Sequence, residues 1–224
     1  MRARLLRKSD EIMRNIYYIA VEGVIGVGKT SLCSLIGETF SAKIVYEKFE
    51  ENPFLEDFYS DRDRFAFQTQ LYFLLSRYRQ HQEMMQVELF HKLLVSDYMF
   101  VKDKIFANIT LSDKELVLYN SVVTLLERDI PNPDLVIYLQ SSTDRLMENI
   151  RERGRHYEEL ITEDYIQQLN DAYNDFFLRY DSSPLLIVNT TDIDFVNNEK
   201  DRENLLEKIR QPFSGTRYYN PKGF

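Results

Sequence analysis

The sequence is poor in the residues that most often announce chemistry. Cys33 is the only cysteine among 224 residues, which excludes an internal disulfide framework and a cysteine-based zinc site and suits a reducing, cytoplasmic setting. The three histidines, His81, His91 and His156, have no metal-ligand spacing, and no Ser/His/Asp arrangement is legible. No apolar run is long enough for a signal segment or a membrane span. The net charge is −8 and no basic block occurs, so neither nucleic acid nor a membrane is an expected partner, although a few arginines can still serve one nucleotide. No internal repeat, low-complexity tract or linker marks a second domain. A chain of 224 residues therefore reads as one domain with a full core. Residues 1–15 are charged and weakly periodic and are expected to be an irregular leader or a short outer helix. The tail 211–224, with two prolines and two glycines, is expected to lack regular structure.

What is present is concentrated in one stretch, Gly23-Val24-Ile25-Gly26-Val27-Gly28-Lys29-Thr30-Ser31. The apolar run Tyr17–Glu22 leads into it and a helical pattern leaves it. This is the complete G-x-x-x-x-G-K-[ST] phosphate-binding loop in its required strand-to-helix context. Its glycines permit close backbone approach, so that N–H groups converge on phosphate at the positive end of the following helix. Lys29 supplies a cation for the β and γ oxygens, and the Thr30 hydroxyl suits Mg²⁺. ATP and Mg²⁺ are thus the expected donor and metal.

The remaining pattern alternates strand and helix. Strands are predicted at 17–22, 42–47, 93–97, 134–140 and 184–188. Helices are predicted at 31–40, 54–59, 64–89, 111–128, 143–155, 162–180 and 199–210. This is an α/β pattern: a five-stranded parallel sheet with helices on both faces. In such a sheet the site lies at the carboxyl ends of the strands. Asp97 ends the third strand and is placed to hold Mg²⁺ with Thr30. Glu47 ends the second strand and can take a proton from a hydroxyl attacking phosphate; on spacing alone Glu50 and Glu51 are rivals. Arg151, Arg153 and Arg155 surround Gly154 at a helix end. They suit a lid that closes over phosphate, or simply a solvated helix terminus.

Several further stretches are more specific: residues 51–59 (Glu-Asn-Pro-Phe-Leu-Glu-Asp-Phe-Tyr), 67–71 (Phe-Gln-Thr-Gln-Leu), 103–107 (Asp-Lys-Ile-Phe-Ala) and Arg151–Glu158. With the phosphate loop they make the chain resemble the deoxynucleoside kinase family, its bacterial members above all, from Tyr17 to about Val196. Guanine-reading motifs of GTPases are not found. The resemblance implies an ATP-dependent kinase acting on the 5′-hydroxyl of a deoxyribonucleoside. It implies Glu47 as general base, Tyr59 and Glu158 at the sugar 3′-hydroxyl, Gln68 and Asp103 at the base edge, and Phe106 stacked on the base. Arg153 and Arg155 would serve the lid. It also implies a homodimer formed through two long helices, for which 64–89 and 111–128 are candidates, with Tyr72, Phe73, Tyr78 and Val87 widening the apolar surface. One departure stands out. Tyr98 lies where the family carries an arginine next to the strand-end acid, and Lys102, Lys104 or Arg77 could compensate.

Two other functions fit the loop and sheet. A nucleoside monophosphate kinase of thymidylate-kinase type would need more cations around its acceptor. A non-catalytic ATP-binding module would explain the lost arginine. Gln68 and Asp103 favour amino-bearing bases, and the resemblance tips the expectation toward deoxyadenosine and deoxyguanosine.

Overall fold

In the computed structural model, which describes residues 16–87 and 92–221, the strands are β1 (Tyr18–Gly23), β2 (Lys43–Val45), β3 (Leu94–Ser96), β4 (Leu135–Gln140), β5 (Leu185–Asn189) and β6 (Thr216–Tyr219). They form a single sheet in the order β2-β3-β1-β4-β5-β6. Every pairing is parallel; Ile19 aligns with Val95 on one side and Leu135 on the other. Every residue of β1 is buried, and only the last residue of β4 and of β5 is not. Successive side chains point to opposite faces, so burial without alternation means that both faces are covered. The edge strands β2 and β6 are only partly covered.

The helices are α1 (Lys29–Phe40), α2 (Leu55–Ser60), α3 (Arg62–Val87), α4 (Lys102–Thr110), α5 (Asp113–Leu126), α6 (Thr143–Arg153), α7 (Glu163–Leu178) and α8 (Glu199–Arg210). α7 is anchored to the sheet by Phe177, whose ring stacks on Tyr138 of β4 at 4.3 Å. Asn174 of the same helix accepts hydrogen bonds from the Tyr138 hydroxyl and the Gln140 amide. Local signals explain the lid segment between α6 and α7. Ser142 caps α6 by accepting from the Arg145 N–H, and Gly154 ends it at φ 64°, a left-handed conformation that costs glycine little. A short 3₁₀ helix, His156–Leu160, follows, and Thr162 caps α7.

Three expectations change. The sheet has six strands, not five, because the tail expected to be irregular supplies β6, which pairs with β5 from Leu185↔Thr216 to Val188↔Tyr219. The helix expected over 111–128 begins at Asp113, fixed by a Ser112/Glu115 capping box. A separate helix, α4, precedes it. The expected leader 1–15, His91 and the end of the helix drawn to Leu89 lie outside the described residues. No helix among the described residues is long and apolar enough to cross a membrane.

Candidate active site

β1 and β3 are neighbours, and the chain leaves them in opposite directions across the sheet. The crevice at such a switch point is where α/β sheets bind ligands. The phosphate loop opens there between β1 and α1. Gly26 has φ 85°, and a Cβ on it would stand 2.8 Å from the Leu146 carbonyl oxygen, so no side chain fits. Asn149 of α6 donates to the Gly26 carbonyl at 2.8 Å, which ties the lid helix to the loop. Lys29 Nζ donates to the carbonyls of Gly23 (2.8 Å) and Val24 (3.0 Å). Burial and the nearby Lys102 charge lower its ammonium pKa to about 8.

Asp97, just past β3, joins the start of α1 to the segment that follows β2. Its Oδ2 accepts from the Thr30 hydroxyl at 2.8 Å and its Oδ1 from the Glu47 N–H at 2.7 Å. Burial, with Glu47 second, raises its carboxyl. A hydroxyl and a carboxylate held together beside a phosphate loop are the hard oxygen donors that suit Mg²⁺. The two residues expected to hold the metal are thus brought into contact.

A cavity of about 100 Å³ lies beyond the loop, walled by Ile25, Glu47, Tyr59, Phe106, Arg153 and Glu158 among others. Glu47 on its wall has a side chain 9% exposed. Arg77 of α3 donates to Glu47 Oε1, and Lys102 Nζ donates to Oε2 at 2.5 Å. Burial alone would raise this carboxyl; the two cations outweigh it and hold the pKa down to about 2. Arg77 and Lys102 therefore supply the charge missing at Tyr98. Tyr98 itself is fully buried, with its hydroxyl against the Met84 sulfur at 3.8 Å. Lys104 takes no part, being paired with Glu127.

The lid is folded onto this cavity. Arg153 grips Glu158 through two hydrogen bonds, at 3.0 and 2.5 Å. Arg155 lies 3.6 Å from Glu158 and 3.8 Å from Glu50, with its guanidinium 4.6 Å above the Phe49 ring. Ligand pockets usually enclose ~300 Å³ or more, so side chains must part to admit a nucleoside.

Three expected site residues are not where the sequence placed them. Gln68 does not reach the cavity; its amide donates to the Arg64 carbonyl at 3.2 Å, and Gln70 lines the wall instead. Two residues along a helix is a turn of about 200°, which reverses the side chain. Arg151 fails for the same reason relative to Arg153: it is exposed and faces a separate depression floored by Met147 and Ile150. Asp103 is buried behind the wall, ion-paired with Arg77, and acts on the cavity only through that arginine. Glu47, Tyr59, Phe106 and Glu158 do converge on it, and Arg153 and Arg155 border both it and the depression over the loop. That second depression is lined by Gly26 to Ser31, while Gly23 and Val24 lie beneath the loop. The residues not foreseen are Gln70, Phe73, Tyr157 and Tyr165, together with the choice of Arg77 and Lys102. Helix phase was the available signal: Gln70, Phe73 and Arg77 fall on one face of α3, and Gln68 does not.

A phosphate loop, a strand-end acid bonded to its threonine, a carboxylate between two cations and an arginine lid over one cleft define a P-loop phosphotransferase. The whole-chain comparisons narrow this. Residues 19–213 match the deoxynucleoside kinase family. A deoxyguanosine kinase of Bacillus subtilis is 33% identical over 208 residues, covering 89% of this chain and 99% of the relative. A deoxyadenosine kinase of Lactobacillus acidophilus is 31% identical over 208 residues, covering 87% and 95%. The solved structure of deoxyadenosine kinase from M. mycoides with bound dATP superposes with a TM-score of 0.76 at 27% identity, covering 87% of this chain and 100% of that one. The chain belongs to the deoxynucleoside kinase family and is a phosphotransferase of that class.

Proposed function

We propose that this kinase uses ATP and Mg²⁺ to phosphorylate the 5′-hydroxyl of purine deoxynucleosides, deoxyadenosine and deoxyguanosine, in cytoplasmic nucleotide salvage. The observation that carries the assignment of roles is Glu47, a cavity carboxylate held by two cations next to the phosphate loop, where the neighbouring Asp97 is already tied to Thr30. Held near a pKa of 2, it is a weak base, ionised at every physiological pH. It therefore serves first to orient the hydroxyl. It takes the proton late, once bonding to phosphorus has made that hydroxyl acidic, which a loose phosphoryl-transfer transition state tolerates. Lys29 and the loop N–H groups hold the donor phosphates. Arg153 and Arg155 turn from Glu158 to the transferring group, and Glu158 is thereby released to the sugar beside Tyr59. Mg²⁺ held by Thr30 and Asp97 would neutralise charge on the donor phosphates. Changing Glu47 to Gln should lower kcat by ~10²-fold or more with little change in nucleoside KM; a silent variant would remove Glu47 from this role.

Two features support a purine. Gln70 offers an acceptor and two donors, enough to bond a purine edge at two points, beside the flat rings of Phe73 and Phe106. The relatives named above are deoxyguanosine and deoxyadenosine kinases. The M. mycoides neighbour has also been solved with bound dCTP, so deoxycytidine belongs in the test. Comparing kcat/KM for the four deoxynucleosides decides it, and a pyrimidine as best substrate overturns the purine assignment.

A homodimer is part of the same reading. α5 leaves Val117 (71%), Leu118 (56%) and Leu125 (68%) exposed, with Leu75 of α3 at 39%. That is more apolar side chain than one soluble helix face normally leaves bare. A monomer mass by light scattering at micromolar concentration would contradict it.

A further inference from the structure

Tyr157 directly precedes Glu158 in the lid and has no part in the steps above. In the short 3₁₀ helix its neighbour His156 points to solvent, with 91% of its side chain exposed, whereas Tyr157 and Glu158 turn inward to the cavity wall. The Tyr157 ring lies parallel to that of Tyr59, at 9° with centroids 6.3 Å apart, and tilts against Phe49 at 6.5 Å. Its hydroxyl is buried and has no hydrogen-bond partner among the described residues. Packing alone does not account for that hydroxyl. A phenylalanine would make the same ring contacts without leaving a donor unsatisfied, and an orphaned buried hydroxyl is costly.

We propose that Tyr157 is a sugar-reading residue, whose hydroxyl donates to the deoxyribose 3′-oxygen while the 3′-hydroxyl donates to Glu158, and whose ring holds Tyr59 in place. This rests on the reading that Tyr59 and Glu158 form the sugar end of the cavity. The hydrogen-bond inventory closes. The 3′-hydroxyl has one donor, which the carboxylate takes, and two acceptor lone pairs, one for each of the Tyr157 and Tyr59 phenols. Arg153 occupies Glu158 before binding. Once it turns toward phosphate, the carboxylate and the phenol are left facing one sugar hydroxyl from adjacent positions on the lid.

The test is Tyr157→Phe, assayed with the best of the four deoxynucleosides and with its 2′,3′-dideoxy counterpart. Loss of one neutral hydrogen bond should raise KM for the deoxynucleoside by about 3- to 10-fold, leave kcat within about twofold and leave KM for the dideoxynucleoside unchanged. Tyr157→Leu, which removes the ring as well, should weaken both substrates by disturbing Tyr59. Equal effects of Tyr157→Phe on the two substrates, or none on either, overturn the proposal. Tyr59→Phe separates the two possible failures. If it weakens only the deoxynucleoside while Tyr157→Phe does not, Tyr157 alone is misassigned. If neither variant nor the wild type distinguishes the substrates, the sugar end itself is misplaced and the proposal falls with it.

Discussion

Replacing Arg77 with methionine tests the electrostatic frame of the site. Arg77 is 4% exposed and is shared between Glu47 and Asp103, whose side chains are 9% and 1% exposed. Holding the Glu47 carboxyl at about 2 instead of 4.5 corresponds to roughly 3 kcal/mol of preference for its ionised form, part of it from Lys102. The Asp103 side chain has no other partner among the described residues, and its second oxygen already lacks one. Methionine fills similar space but strands Asp103 and leaves Glu47 with Lys102 alone, a change that typically costs about 3–5 kcal/mol. With a urea slope of about 2 kcal/mol per molar, the unfolding midpoint at pH 7 should fall by about 2 M. The sign of the pH dependence follows from the depressed carboxyl. In the wild type, the stability Glu47 contributes is present above its ordinary pKa and is lost as pH falls from about 4.5 toward about 2. The variant lacks Arg77's share of that contribution, so the gap between the two proteins should narrow below about pH 4.5, where the carboxylates can protonate. Urea titrations from pH 7 to pH 3.5 measure both effects. A variant within 1 kcal/mol of the wild type at pH 7, or a gap independent of pH, would show that Arg77 is not the counter-charge for these acids.

Lys29 should appear in the kinetics. With its ammonium lowered to about 8, the free enzyme loses a phosphate-binding charge above that pH, so kcat/KM for ATP should decline tenfold per pH unit there; Lys29→Arg should remove the decline, and an unbroken plateau to pH 9.5 in the wild type would refute the shift. His81 should govern acid stability. Burial, then Arg77, lowers its pKa to about 4, so the unfolded chain binds a proton that the folded one refuses, and about 3 kcal/mol is lost as pH falls from about 6.5 to about 4. His81→Phe, which keeps the ring against Tyr18, Tyr98 and Phe100, should flatten that loss in urea titrations. Gln70→Ala should lower kcat/KM for the preferred deoxynucleoside by about 10-fold or more, while Gln68→Ala should change it less than twofold; the reverse order would restore the register read from sequence.

The sequence by itself determined whatever its chemistry writes in consecutive residues. The phosphate loop needs Gly23 through Ser31 in one run, and the alternation of β-branched runs with helical ones dictates a parallel sheet, since parallel strands need crossovers. Placing Glu47 and Asp97 at strand ends was enough to bring them to the same edge, and there the Glu47 N–H meets Asp97. What only the tertiary structure decided are the matters of phase and of distance along the chain. Gln68 and Gln70 are chemically identical, and which one faces the cavity depends on how α3 is rotated against the sheet, a rotation set by the packing of its whole length. Arg77 and Lys102 lie 30 and 55 residues from Glu47, and nothing local distinguishes them from Lys104, which the fold points outward to Glu127. β6 is a strand because the open edge of β5 offers it hydrogen bonds; its own sequence, Thr216-Arg217-Tyr218-Tyr219, lies beside turn residues and buries little. A hydrogen bond or ion pair between distant segments depends on where two backbones are held, and that position is a property of the packed core, to which most of the chain contributes at once.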